Sequence, residues 1–230
     1  MKYLMIRKYL SFVLVLLMCM SLTVNAFAAE ERIVSDAEIS AVLAEINEEY
    51  GTNIRVLSAE ELMSLGLSAA DPAPMTAGEL EQLENTLRYV AETQIPQFRK
   101  TTQEAVDAIA GISSDITTFS PDAPNSGLSI ASDAITATKE IDYAIAGAVA
   151  YTSKNTSGKT VWGEIQYGFC TTDTAQSTWF RATNPTVTRT DSNSTLYWVG
   201  TGNYYSNING TQYYLYSGTQ YASMYIDDYT

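Results

Sequence analysis

Histidine is absent from all 230 residues. That removes the Ser-His-Asp and Cys-His machineries in their usual forms, and histidine-based zinc sites with them. Ser-Lys catalysis needs Ser-x-x-Lys spacing, and no serine stands three residues before a lysine. Cysteine is nearly absent too, with only Cys19 and Cys170. A chain that keeps Cys170 alone cannot close an intramolecular disulfide, so an ordinary core must hold it together. Without an imidazole to activate it, that thiol reads as a small buried hydrophobe in a strand.

Positive charge is the next shortage. Thirteen Lys and Arg face 26 Asp and Glu, a net charge of −13. Phosphate backbones and anionic lipid surfaces repel such a chain. Nucleic acid is therefore excluded as a partner, and so is attack on membranes by a cationic amphipathic helix. Beyond residue 28 no apolar run approaches the roughly 20 residues that a spanning helix needs.

The first 28 residues follow a different grammar. Lys2, Arg7 and Lys8 precede an apolar stretch from Phe12 to Met20, and Ala26-Phe27-Ala28 supplies a small-x-small cleavage site. This is the layout of a secretory signal peptide. The expectation is export, cleavage after Ala28, and a protein that is extracellular, released or held at the cell surface through binding. Cys19 follows Met18, not the small residue that a lipobox requires, and it departs with the signal. Residues 29–230 then carry ten bases and 26 acids, a net charge of −16.

The rest divides by pattern. Residues 29–115 predict an acidic helical region. Ser35…Glu38, Ser58…Glu61 and Thr76…Glu79 are capping boxes. Ile39, Val42, Leu43, Ile46 and Tyr50 recur at helical spacing, with Gly51 as the C-cap. Leu80, Leu83, Leu87 and Val90 form a second stripe. Pro96 is expected to break or kink the chain, with Phe98, Ala105, Val106 and Ile109 continuing to Gly111. Asn53–Leu57 reads as a short strand, and 68–74 as a linker. The acids of this half are expected on solvated helix faces. A removable pro-region is the alternative, with Arg99-Lys100 as its dibasic processing site.

Residues 116–134 read as a linker rich in turn formers. Residues 135–230 predict a Tyr-rich β domain. Ile141, Tyr143, Ile145, Val149 and Tyr151 alternate with Asp142 and alanines; Val161, Ile165, Tyr167 and Phe169 alternate with Trp162, Glu164 and Gln166. Further strands are expected near 178–190, 194–205, 211–217 and 219–226. Turn signals stand at 155–158, 207–210 and Ser217-Gly218. The fold class expected is α+β, a helical N-terminal segment followed by an antiparallel all-β sandwich or small barrel.

Several chemistries remain open. Gly158-Lys159-Thr160 imitates the end of a P-loop, but position 153 is Ser and a strand follows, so it reads as a hairpin turn. A glycosidase would need two of Asp142, Glu164, Asp173, Asp191, Asp227 and Asp228 across a cleft. Asp191-Ser192-Asn193 or Asp227-Asp228 could offer oxygen ligands to calcium, without the EF-hand pattern. No metal or other cofactor is expected. Asn155, Asn193 and Asn209 head Asn-x-Ser/Thr sequences.

Aromatic content is the positive signal. Twelve of 16 tyrosines and all three tryptophans lie beyond residue 142. In the last strand Tyr221, Ser223 and Tyr225 share one face while Ala222, Met224 and Ile226 share the other. Trp162, Tyr197, Tyr221 and Tyr225 are the candidate ligand-binding residues, because exposed rings beside hydroxyls and amides stack on sugars or anchor protein partners. The expected function is a non-catalytic extracellular binding module for a glycan or a surface protein. A carboxylate glycosidase and a secreted toxin or antimicrobial protein that assembles through its β edges are the alternatives.

Overall fold

The computed structural model describes residues 32–68, 74–112, 130–172 and 177–230. The stretch expected as a signal peptide and Asp173 lie outside the described residues, as do most of the 68–74 stretch and most of the stretch expected as a linker. The last five positions of that linker, 130–134, already belong to a strand.

All three capping boxes form. Ser35 begins α1 (Asp36–Tyr50), Ser58 begins α2 (Ala59–Ser64) and Thr76 begins α3 (Ala77–Tyr89), each with its Glu reaching back to the cap. Gly51 ends α1 in the left-handed conformation, φ 59°, where a Cβ would be strained. Asn47 then ties α1 to β1 (Arg55–Val56): its amide donates to the Ile54 carbonyl at 2.8 Å and accepts from Ile54 N–H at 2.7 Å.

Pro96 does not end the helix. A π-helical turn, Val90–Gln94, joins α3 to α4 (Ile95–Ile112), and Ile95 N–H donates to the Val90 carbonyl five residues back. The wider turn sits where the proline ring, lacking an N–H, would disrupt an ordinary α-helical ladder. Arg88 of α3 meets Glu84 on its own helix and Glu45 and Glu49 of α1, locking the two helices side by side. Val106 and Ile109, expected on the buried stripe of α4, are exposed; Phe98 and Ala105 are buried.

The strands form two antiparallel sheets. β2 (Ile130–Ile141), β3 (Ala144–Lys154) and β4 (Thr160–Thr171) make one. The other runs β1-β8-β7-β5, with β6 also on β7, from β5 (Thr178–Ala182), β6 (Thr186–Thr190), β7 (Thr195–Ile208) and β8 (Thr211–Tyr225). Together they are an open sandwich, not a closed barrel, preceded by a helical part, which establishes the α+β class. The short strand expected at 53–57 is real, and its role is to extend the second sheet by pairing Arg55 with Tyr214 and Val56 with Tyr213. Among the described residues no helix is long and apolar enough to cross a membrane.

One expectation about the strands is corrected. Ser217-Gly218 is not a turn: β8 runs straight through it, with Gly218 opposite Gly202 on β7. The glycine marks close approach of α4, since a Cβ there would lie 2.4 Å from Thr102 Oγ1. Asn209-Gly210 is the true hairpin turn, with φ of 52° and 85°, the left-handed pair that two-residue hairpins favour.

Burial decides which side of β3 is inner. On β3 the alanines at 144, 146, 148 and 150 point into the core, while Ile145 is exposed and Val149 and Tyr151 are half-buried. The alanines share one core with Trp162 and Trp198, both fully buried, where close packing leaves little spare volume. The Trp162 indole donates to the Met224 carbonyl at 3.3 Å, and the Trp198 indole to the Phe169 carbonyl at 3.0 Å.

One continuous core joins both halves of the chain. Leu43, Ile46, Leu83, Leu87 and Phe98 from the helices share it with Tyr204, Tyr213 and Leu215 of the second sheet. Phe98 lies flat on Tyr204, centroids 4.0 Å apart at 9°. Processing after Arg99-Lys100 would cut α4 two residues past this buried ring, and loss of the helices would strip the inner face of β7 and β8. Both facts argue against a removable pro-region.

Candidate functional site

Strand alternation decides what the outer face of the larger sheet displays. On β8, Ala222 and Met224 turn inward, and Ile226 just beyond it is also buried. Tyr221 and Tyr225, 38% and 53% exposed, turn outward with Ser223 between them. Register then sets their neighbours on β7: Thr195 stands opposite Tyr225, Tyr197 opposite Ser223, Val199 opposite Tyr221 and Thr201 opposite Thr219. β6 adds Thr188 beside Tyr197 and Thr186 beside Val199.

Tyr197 and Tyr221 are diagonal neighbours, and their rings stack with centroids 5.8 Å apart at 24°. Tyr197 is only 6% exposed, and its hydroxyl is buried without a hydrogen-bond partner. Leaving such a group unpaired costs roughly 1–3 kcal/mol. Burial, and then the neighbouring Tyr221, pushes the Tyr197 phenol up to about 12. The Thr201 and Thr219 hydroxyls meet at 3.1 Å. Asn203 and Ser217 follow as the next pair, with Ser217 Oγ donating to Asn203 Oδ1 at 2.7 Å.

The face ends against a wall. Leu57, Leu62, Leu65 and Leu67 of the β1–α2 segment roof Trp179, Tyr205 and Tyr214 into a small second core. Arg55 sits 5.0 Å above the Tyr214 ring and is clamped by Glu61, while Arg181 donates to the Leu65 carbonyl at 2.8 Å. Glu61 is drawn down to about 2, first by Arg55 and then by the Ser58 cap.

Of the four residues proposed from sequence, three come together here: Tyr197, Tyr221 and Tyr225. Trp162 does not. It is a core residue on β4, and its expected display is corrected by its full burial between the sheets. Sequence reasoning missed the hydroxyl rows of Thr201, Thr219 and Thr188, since only strand register brings them beside the rings. It also missed that Tyr167, 59% exposed, belongs to the opposite sheet, where it leans on Phe169.

The other chemistries find the following places. Asp142, in the β2–β3 turn, accepts from Thr101 at 3.1 Å, and Asp191 accepts from Thr195 at 3.0 Å. Glu164 is exposed on β4, and Asp227 and Asp228 are exposed in the turn after β8. Among the described residues no group of three or more His, Cys, Asp or Glu could hold a metal ion. Cys170 is half-buried against the core, and burial raises its thiol above the ordinary range. A raised thiol is a poorer source of thiolate at neutral pH.

Comparison with protein-family models, with curated proteins and with solved structures finds no match for this chain.

Proposed function

We propose that the protein is a secreted, non-catalytic binding module that takes a glycan on the Tyr–Thr face of its larger sheet. The observation that carries this reading is the pairing of two exposed tyrosines, Tyr221 and Tyr225, with rows of uncharged hydroxyls on neighbouring strands. A sugar ring offers C–H groups on its faces and hydroxyls around its rim. Aromatic rings cover the former, and Thr and Ser hydroxyls exchange hydrogen bonds with the latter. A sheet holds these groups in place before the ligand arrives, so little ordering entropy is lost on binding.

The test uses protein recovered from the medium of an exporting bacterial host, where an N-terminus at Ala29 is expected. It is offered peptidoglycan, cellulose, chitin and a β-1,3-glucan as insoluble polymers. Retention by at least one is expected, and Tyr221→Ala and Tyr225→Ala should each release it by about tenfold or more without lowering the melting temperature by more than a few degrees. Tyr167→Ala, an equally exposed ring on the other sheet, should leave retention unchanged. Failure of all four polymers to retain the protein would sink the glycan reading. Full-length protein kept inside the cell would sink the export reading.

A further inference from the structure

Resting on that glycan reading, we infer that the ligand is an uncharged polysaccharide chain held lengthwise along β8, with one sugar position on Tyr221 and another on Tyr225. The two rings lie on one strand face, four residues apart. At ~3.3 Å per residue their Cα atoms are about 13 Å apart. A single pyranose ring does not reach across that span, whereas a linked chain does. Occupying the first position then holds the next sugar near the second, and binding tightens without any new kind of contact.

The charge pattern selects among chains. Between the Thr201–Thr219 pair and Tyr225 the pairing places only Thr, Tyr, Val and Ser on this face. Arg181 lies further along, and its guanidinium is turned to the Leu65 carbonyl at the wall. Arg55 also lies further along, over the Tyr214 ring of β8 and clamped by Glu61. Between Thr219 and Tyr225 the paired residues offer a carboxylated or sulfated polymer no cation, and it would meet a protein of net charge −13. A neutral chain meets neither penalty. The buried, unpartnered hydroxyl of Tyr197 adds a second observation. Its ring stacks on Tyr221, the proposed first sugar position, so a sugar hydroxyl that reached it would satisfy a buried group.

The experiment is calorimetric titration with β-1,4-glucose, β-1,4-N-acetylglucosamine and β-1,3-glucose oligomers of one to about six units, and with heparin and polygalacturonate as charged polymers, at low and high salt. The expected result is no measurable binding of the monosaccharide. Affinity should rise at least tenfold from the dimer to the length that spans both rings, then level off, and salt should not alter it. Tyr225→Ala should keep the short-oligomer affinity and lose the gain with length. Tyr197→Phe keeps the ring and removes only the hydroxyl, so a several-fold loss is expected; unchanged affinity would remove that group from the site. A monosaccharide bound as tightly as the hexamer would overturn the chain inference and leave the glycan reading standing. Binding confined to heparin or polygalacturonate and abolished by salt would overturn the neutral ligand. No binding by any of these sugars, together with no retention on any polymer, would overturn both readings.

Discussion

Replacing Phe98 with alanine tests whether the two halves of the chain are one folding unit. The ring is 1% exposed. It lies flat on Tyr204, meets Tyr143 edge-on at 5.4 Å and approaches Tyr216 at 6.5 Å. It is thus the helical half's plug in an aromatic cluster that otherwise belongs to β7, β8 and the β2–β3 turn. Truncating a buried Phe costs about 3–5 kcal/mol, through lost transfer energy and the cavity left behind. Little collapse is expected, because α4 is pinned beside the site: Thr102 Oγ1 accepts from Thr219 N–H at 3.2 Å, four residues beyond Phe98. For a chain of this size each kcal/mol lowers the melting temperature by about 2–4 °C, so a fall of about 6–20 °C is expected. The assay is paired thermal melts, with ellipticity at 222 nm for the helices and tryptophan fluorescence for the sandwich, where Trp162 and Trp198 are fully buried. Both signals should move down together as one transition. If the helical signal falls early while the tryptophan transition keeps its wild-type midpoint, the halves unfold separately. The claim of one continuous core would then be wrong, and a removable N-terminal region would return as a reading.

Two further outcomes follow from other contacts. In Gly218→Ala the new methyl would sit 2.4 Å from Thr102 Oγ1 and 3.1 Å from the Tyr204 and Tyr216 rings, so either the Thr102 hydroxyl must rotate or α4 must shift, and the Thr102–Thr219 bond is lost; destabilisation of about 1–3 kcal/mol is expected. The Thr102→Ala/Gly218→Ala pair should cost less than the sum of the single changes in denaturant melts, and strict additivity would refute the close approach. The acid limb tests Glu61, whose folded value near 2 lies below its ordinary 4.5. Its contribution is complete above about pH 4.5 and is lost as pH falls toward 2, because the unfolded chain takes up the proton first. Glu61→Gln should therefore flatten the loss of melting temperature over that window; an unchanged acid limb would show that the Arg55 clamp is screened away by solvent.

Much of the fold was legible from residues alone because it depends on local chemistry. A serine or threonine three residues before a glutamate caps a helix wherever it occurs, and all three boxes at 35, 58 and 76 formed. Asn-Gly at 209–210 accommodates left-handed backbone by itself, and it turned the chain. Alternation on the last strand required no partner to put Tyr221 and Tyr225 on one side and Met224 on the other. What local pattern could not decide was which side of β3 is inner. Ile145, Val149 and Tyr151 are the more hydrophobic set, yet the alanines between them are the buried side, sharing one core with Trp162 and Trp198. Gly218 read as a turn because nothing nearby in sequence reveals that α4 passes within a methyl's width of it.

The candidate site divides along the same line. Sequence alone determined the helical and strand grammar of the two halves, the absence of histidine, and the outward tyrosines of β8, all properties of residue type and of spacing along one chain. Only the tertiary structure removed Trp162 to the core, stacked Tyr197 on Tyr221 and set threonine rows beside them. Those outcomes depend on cross-strand register and on competition for a fixed interior volume, and neither quantity exists until distant parts of the chain meet.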